Sequence, residues 1–191
     1  MTWGECKLAA LRTMFANEGM VLTVDDSNQE YVNAMPEKAN EALQMLAIAA
    51  RPILRRSALT AEEEETVDLK ELFPDFRAID EVTRDGESAP YALEADRYLR
   101  IQGGTYTIVY AAYPEKITAE TEDETEIDIA PECAVLLPLY IASELYKEDE
   151  LATATIWRNE FEDGLEKVRK AYGAQGGGMK ASTRASSTGW W

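Results

Sequence analysis

The fold is decided by residues 131–172, which read PECAVLLPLYIASELYKEDE and then LATATIWRNEFEDGLEKVRKAY. The second half carries apolar residues at steps of three and four, which places them on one face of a helix. The first half is apolar nearly all round, so we expect it at the centre of a bundle. A tight turn between the halves predicts two antiparallel helices. The apolar stripe of the second helix consists of Leu151, Ala154, Trp157, Phe161, Leu165, Val168 and Tyr172.

Composition bounds both the size and the function of the protein. A chain of 191 residues predicts one domain, or one domain with an insertion, and 46% hydrophobic residues suffice for a sizeable core. The formal charge of −17 argues against a surface that grips nucleic acid or anionic membrane. No apolar run approaches the roughly 20 residues of a membrane span. Glu5 and Arg12 interrupt the N-terminal apolar region, which argues against a secretory signal.

The residues that most often carry chemistry are scarce. Histidine is absent, which removes the commonest general base and the commonest transition-metal ligand. Cys6 and Cys133 lie on apolar helical faces, so we expect buried, reduced thiols and synthesis in a cytosol. We therefore predict that the protein is not an enzyme and has no catalytic residues, cofactor or metal; an enzyme would require a concave pocket with a perturbed acid, which the sequence does not reveal.

The N-terminal region predicts further helices. Thr2 and Glu5 have the spacing of a capping box, and a helix follows to about Ala16. A second capping signature at residues 27–30 precedes an apolar stripe that runs to Ile53. Because proline interrupts the helical hydrogen bonds, Pro36 predicts a short helix, a break and then a longer helix.

The periodicity changes from helical to alternating after Ser57. Residues 76–82 predict a strand, and Asp85-Gly86 is a hairpin turn signal. Residues 91–93 and 98–101 predict short strands, and residues 105–113 are the strongest strand in the chain. Residues 115–128 carry seven acids against one lysine, which predicts an exposed, extended return loop.

These elements predict an α+β fold. About four helices from residues 1–57 and 131–172 form a bundle, which we name the helical body. Residues 58–130 form a small antiparallel β domain inserted into it, with the acidic return loop. Residues 173–191 are rich in Gly, Ala, Ser and Thr without periodicity, and predict a flexible, extended C-terminal arm.

Three local motifs could indicate a binding site, but the sequence favours an ordinary structural role for each of them. The acids of residues 120–128 lack the spacing and the glycine of a calcium loop, so a solvated loop is favoured over a metal site. Residues 176–180 lack the strand and the Gly-Lys-Ser/Thr core of a phosphate loop. The tyrosines of the β domain have no basic neighbours, so packing is favoured over a platform for stacking bases.

The order of several motifs resembles the head–tail adaptor (connector) proteins of tailed bacteriophages. These motifs are TWGECKLAAL, ARPI, FRAIDEVTRDG, GGTYTIVYAAYPEKI and APECAVLLPLYIASELY, followed by an acidic turn and a long helix. The resemblance covers residues 1–172. It implies a structural protein of the virion neck that forms a ring, usually of twelve subunits, beneath the portal. Such a ring extends the DNA channel and provides a docking platform for tail, stopper or nozzle proteins, while DNA passes through it without specific binding.

Two sets of residues are candidates for partner contacts. We expect one of the acidic segments, residues 62–65 or residues 115–128, to face the channel or its rim, where lysine and arginine would hold the phosphates. The arm has no acids, two basic residues and two tryptophans, which are typical interface anchors for the portal or an adjacent subunit. The channel candidates are Glu62, Glu63, Glu64, Glu65, Glu122, Asp123 and Glu124, and the arm candidates are Met179, Lys180, Arg184, Trp190 and Trp191.

A second interpretation comes from another class of protein. The chain could be a cytosolic protein-binding or regulatory module, with a helical body and a β insert for a partner. Oligomer size distinguishes the two, because a binding module should be a monomer or dimer and an adaptor should form a large ring.

Overall fold

The structure is a computed structural model that describes residues 1–15, 24–25 and 27–174. The fold is α+β, as the sequence predicted. Its contacts divide it into two compact units. The helical unit comprises Met1–Pro52 and residues 114–174, and the β unit comprises Ile53–Tyr113.

The predicted boundaries of the two parts need correction on both sides. The first strand begins at Ile53, inside the range 1–57 assigned to the helical body. Residues 114–130, assigned to the β domain, belong to the helical unit. The last helix continues to Ala174, so residues 173 and 174 are helical rather than part of an arm.

Five of the six described α-helices belong to the helical unit. Helix α3 is a single turn in the β unit. A five-residue π-helix, Leu46–Ala50, extends α2. The α-helices are α1 (Trp3–Phe15), α2 (Gln29–Met45), α3 (Leu69–Leu72), α4 (Pro131–Ala134), α5 (Leu137–Tyr146) and α6 (Leu151–Ala174).

Helix α5 lies at the centre of the helical unit, where it packs against α1, α2 and α6. Its Leu137 and Ile141 are fully buried, together with Leu43 of α2 and Phe161 of α6. Each such side chain contributes roughly 1.5–3 kcal/mol by leaving water. The apolar character of residues 131–141 therefore predicted the central position correctly.

Helices α5 and α6 are antiparallel, as predicted. The ring of Tyr146 lies 5.4 Å from that of Trp157, and the ring of Tyr140 lies 5.0 Å from that of Phe161. The predicted single helix over residues 131–150 is nevertheless two, α4 and α5. Pro138 explains the break, because it has no N–H to bond the carbonyl of Ala134.

The first helix begins as its sequence predicted. The Thr2 N–H donates to Glu5 Oε2 at 2.9 Å, and the Glu5 N–H donates to Thr2 Oγ1 at 3.2 Å. This reciprocal pair is the capping box.

The break predicted at Pro36 does not occur, because α2 runs through it without interruption. A proline inside a helix costs about 3 kcal/mol, since it removes one hydrogen bond and crowds the preceding turn. Met35 and Ala39 on either side are fully buried, and their packing offsets that cost. The helical run ends before Pro52, as predicted, with the Arg51 N–H donating to the Leu46 carbonyl.

The β unit contains two antiparallel sheets, where the sequence predicted one. The larger sheet has the order β1-β7-β3-β4, and the smaller has the order β2-β6-β5. The strands are β1 (Ile53–Ala61), β2 (Glu65–Asp68), β3 (Phe76–Arg84), β4 (Glu87–Ser88), β5 (Ala92–Glu94), β6 (Tyr98–Ile101) and β7 (Gly104–Ala112).

Strand β7 is central in the larger sheet, which explains why its sequence gave the strongest strand signal. It pairs along its whole length with β1 and, through irregular register, with β3. Its Tyr106, Ile108 and Tyr110 are buried at alternate positions. The hairpin predicted at Asp85-Gly86 is also present, since both residues have positive φ, as a type I′ turn requires.

Candidate functional site

The acidic segment that joins β7 to α4 is docked along the start of α1. The Trp3 N–H donates to the Thr125 carbonyl and the Gly4 N–H donates to the Asp123 carbonyl, both at 2.8 Å. These two N–H groups have no partner within the helix, because they belong to its first turn. The segment is exposed over most of its length, as predicted, but its backbone also completes the start of α1, which the sequence did not predict.

Side-chain contacts fix the same segment at its beginning. The side-chain amide of Asn40 donates to the Ile117 carbonyl at 2.7 Å and accepts the Ile117 N–H at 2.9 Å. Ile117 is buried in the core of the helical unit. The cavity beside it, lined by Trp3 and Leu43, has a volume of about 50 Å³. Ligand pockets typically measure about 300–1,000 Å³, so this space suits a few water molecules.

The predicted acids of this segment are exposed although their backbone is docked. Glu122, Asp123 and Glu124 all face solvent. Asp123 also forms an ion pair with Lys7 of α1. This part of the sequence therefore presents carboxylates on a fixed backbone.

The second predicted acidic set belongs to the β unit. Glu62, Glu63 and Glu64 form the turn between β1 and β2, and Glu65 begins β2. All four are exposed. The Arg100 Nε lies 2.6 Å from Glu64 Oε1, so one of the four carboxylates is paired across the smaller sheet.

The arm candidates lie outside the described residues. They are Met179, Lys180, Arg184, Trp190 and Trp191.

A groove of about 470 Å³ opens on the helical unit, between α2 and the turn that joins α5 to α6. We name it the acidic groove. The sequence showed the acidic turn, but not that α2 lies beside it. Its lining residues are Glu30, Tyr31, Ala34, Lys38, Glu144, Leu145, Lys147, Glu148 and Asp149.

One hydrogen bond spans this groove. The Tyr31 hydroxyl donates to Asp149 Oδ2 at 2.7 Å, and this contact raises the pKa of Tyr31 to about 12. Phe15 contacts the rings of Tyr31 and Tyr146 edge-on, at 5.0 and 5.8 Å. The groove therefore has the Tyr31 ring in its lining, and its rim is acidic.

A network of charges holds the three helices around the groove. Arg158 of α6 pairs with Glu144 of α5 at 2.9 Å and lies over the ring of Tyr140, 4.8 Å from its centre. The Tyr140 hydroxyl donates to Glu41 of α2 at 3.0 Å. Burial raises the pKa of Tyr140, and its bond to Glu41 acts in the same direction. These contacts fix the helices that carry the groove.

Both cysteines are free and buried, as predicted. Burial raises the pKa of Cys6 to about 12 and that of Cys133 to about 11, which keeps them as unreactive thiols at neutral pH. Among residues 1–15, 24–25 and 27–174, no three His, Cys, Asp or Glu side chains are placed to hold a metal ion. None of the helices in this part of the chain is long and apolar enough to cross a membrane.

Comparison with known proteins assigns no family. No protein-family model matches the chain, and no curated protein matches it.

Proposed function

We propose that this chain is a head–tail adaptor of a tailed bacteriophage, a structural protein of the virion neck. It assembles as a ring beneath the portal, extends the DNA channel and presents a platform to tail, stopper or nozzle proteins. The proposal rests on the ordered motifs of residues 1–172 and on one structural observation, the apolar surface of the helical unit.

Large apolar side chains of the helical unit are exposed to an extent that suggests partner subunits. Ile48 of the π-helix is 55% exposed and Val135, between α4 and α5, is 59% exposed. An ion pair between Arg51 and Glu132 joins the two segments that carry them. Leu151 of α6 is exposed as well, by 68%. We propose that Ile48 and Val135, on segments joined by this ion pair, belong to one apolar surface; such surfaces are typical of interaction sites, and a ring supplies two neighbours for each subunit.

The experiment that tests the proposal is a mass measurement combined with imaging. Native mass spectrometry and negative-stain images of the purified protein, alone and with the portal, should show a closed ring in at least the second sample. Monomers or dimers in both samples would favour the second interpretation, a protein-binding module.

A matched pair of variants connects the ring to the apolar surface. Val135→Glu introduces a charge at the exposed apolar site and should reduce ring formation, because a buried unpaired carboxylate is costly. Asn159→Glu introduces the same charge at an exposed polar position of α6 and should leave assembly intact. Equal assembly of both variants would show that Val135 does not lie in the interface between subunits.

The exposed acids fit the channel role proposed for them. Glu62, Glu63, Glu64 and Glu65 of the β unit, and Glu122, Asp123 and Glu124 of the helical unit, would repel DNA phosphates rather than hold them. Purified protein should therefore not retain duplex DNA in a gel-shift experiment at moderate salt. Tight, salt-sensitive retention would contradict both the channel assignment and the adaptor function.

The arm is proposed to bind the portal or an adjacent subunit through its basic and aromatic residues, and in either place to hold the ring on the head. The anchoring residues are Met179, Lys180, Arg184, Trp190 and Trp191. Replacing both tryptophans with alanine in the full-length protein should weaken attachment to portal-bearing heads, because tryptophan often carries a large share of binding energy. Replacing Ser186 and Ser187 with alanine gives a control. Equal attachment of both variants would show that the tryptophans are not the anchor.

A further inference from the structure

The acidic groove has the shape and chemistry of a binding site for a basic, aromatic segment. Its volume of about 470 Å³ lies within the range of ligand sites. Ala34, Leu145 and the ring of Tyr31 provide apolar surface, and the rim carries four acids against two lysines.

The two lysines of the rim are already neutralised by neighbouring carboxylates. Lys38 lies 2.8 Å from Glu41 and 3.0 Å from Glu37, and Lys147 lies 3.0 Å from Glu144.

The remaining acids of the rim carry uncompensated charge. Glu30 and Glu148 form no ion pair with the described residues, and the Asp149 carboxylate accepts a hydrogen bond from the neutral Tyr31 hydroxyl. A cation at the rim would therefore gain attraction without breaking an existing ion pair.

The chain itself supplies a segment of complementary chemistry. Residues 175–191, which follow α6, contain no Asp or Glu, and they contain Lys180, Arg184 and two tryptophans. In a protein of net charge −17, this is an unusual stretch of positive sign. Basic side chains suit the rim, and an indole ring suits the apolar floor beside Tyr31.

The length of the chain decides which copy provides the segment. Helix α6 has 24 residues, and at 1.5 Å per residue it is about 36 Å long. The groove lies at its start, next to Asp149, whereas residues 175–191 leave from its end at Ala174.

Within one subunit, the basic residues cannot both reach the groove. Lys180 follows Ala174 by six residues, so an extended chain carries it at most about 20 Å back along the helix. Arg184 follows Ala174 by ten residues, so an extended chain carries it at most about 35 Å. That is no longer than the helix itself, and the chain would also have to pass around the helix. A segment from another subunit has no such restriction.

We infer that the acidic groove binds residues 180–191 of a second copy of this chain. Lys180 and Arg184 contact the rim acids Glu30 and Glu148, and a tryptophan ring lies on Tyr31 and Leu145. The inference rests on the proposed ring, in which each subunit has a neighbour, and it assigns the arm to that neighbour rather than to the portal.

Disulfide trapping between full-length chains tests this contact. One chain carries Ala34→Cys in the groove, and the other carries Ser187→Cys between the basic residues and the tryptophans. The two proteins are mixed and oxidised, and the covalent dimer of two 21.3 kDa chains is measured on a non-reducing gel. The native cysteines are buried, so the wild-type chain gives the background.

The mixture should form the dimer, and a mixture with Asn159→Cys in place of Ala34→Cys should form far less. Adding Glu148→Lys to the groove chain should lower the initial trapping rate about fivefold, since a favourable charge pair becomes repulsive. The exposed control Glu160→Lys should not. Replacing both Lys180 and Arg184 with glutamate in the other chain should restore the rate against Glu148→Lys.

Three results would overturn the inference. The first is a dimer yield no higher than that of the Asn159→Cys control. The second concerns a chain that carries both Ala34→Cys and Ser187→Cys, and it is the formation of a disulfide within that chain but not between chains. The third is an equal trapping rate with Glu148→Lys and Glu160→Lys. Imaging distinguishes failure of this inference from failure of the proposed function. Rings without disulfide trapping would refute the groove contact alone. Trapping without rings would refute the adaptor function alone.

Discussion

The side-chain amide of Asn40 holds the backbone of Ile117 by both its N–H and its carbonyl, at 2.9 and 2.7 Å. The side chain thus takes the place of a neighbouring strand and satisfies two backbone groups at once. It ties the segment that follows β7 to the middle of α2, and it places the Ile117 side chain in the core.

Asn40→Ala should destabilise the helical unit by about 1–3 kcal/mol, because it leaves two partly buried backbone groups without a partner. Urea denaturation followed by circular dichroism measures the change. Asn33→Ala, at an exposed position of the same helix, should cost less than about 0.5 kcal/mol. Equal costs would show that the clamp does not stabilise the fold.

Two glycines of α6 offer a matched test of its packing. A Cβ on Gly164 would collide with Leu136, whereas a Cβ on Gly173 would meet nothing within 4 Å. Gly173→Ala should stabilise the protein by about 0.5–1 kcal/mol through helix propensity. Gly164→Ala gains the same propensity but must displace a buried leucine, so it should be less stable than Gly173→Ala by about 1–3 kcal/mol. If thermal melts show equal gains, the close approach of Leu136 to α6 is wrong.

The bond between Tyr31 and Asp149 predicts a dependence of stability on alkaline pH. The pKa of Tyr31 is raised from the usual value of 10.0 to about 12, so the folded state holds the hydroxyl proton more tightly than the unfolded state does. The stabilisation is complete below pH 10 and is lost as the pH rises from 10 to 12. Tyr31→Phe should therefore be less stable than wild type at pH 8, and the difference should shrink above pH 10.

Urea denaturation at a series of pH values measures this difference. Tyr113→Phe, at a tyrosine that is 47% exposed, gives a control for the loss of a hydroxyl. A difference between wild type and Tyr31→Phe that stays constant up to pH 12 would contradict the assignment.

The β unit should be removable without loss of the helical unit. Ile53 and Ala112 are paired residues of β1 and β7, so the ends of the insertion lie about 5 Å apart. Replacing residues 53–113 with a short Gly/Ser linker should leave a helical protein that melts cooperatively in circular dichroism.

A longer deletion, of residues 61–128, provides the contrast. It removes Ile117 and the carbonyls that bond the start of α1, so it should lose helicity and cooperativity. If the two deletions behave alike, the segment after β7 does not belong to the helical unit.

The sequence predicted the helices and the strongest strands because each buries one face or is buried along its length, and the apolar residues therefore follow a regular spacing. Phe161 and Ala154 repeat at helical spacing, and Tyr106, Ile108 and Tyr110 alternate. Thr2 and Glu5 form a local capping signal that needs no tertiary information. The α+β class and the central position of α5 follow from these patterns alone.

Strand β1 was missed because its first residue fits two patterns. Ile53 continues the helical stripe of α2, while Arg55 and Arg56 interrupt any alternation that would indicate a strand. Its partner β7 lies some 50 residues away in the sequence, and that pairing, rather than local propensity, decides its structure.

The docking of the acidic segment could not be predicted from residue types. The Asp123 and Thr125 carbonyls that bond α1 are backbone groups, which every residue possesses. The acidic groove was missed for a related reason, since Tyr31 and Asp149 are 118 residues apart. Their side chains carry no signal that they meet.

The β unit lies in the sequence between the two parts of the helical unit, and this affects the order in which the protein folds during its synthesis on the ribosome. The β unit is complete in the sequence at Tyr113, whereas α1 and α2 must wait for the 61 residues of 114–174 before their partners exist. At about 5–20 residues per second, that wait lasts several seconds. During it the apolar faces of α1 and α2 are unshielded, so a nascent chain stalled near residue 150 should recruit chaperones through its first 50 residues.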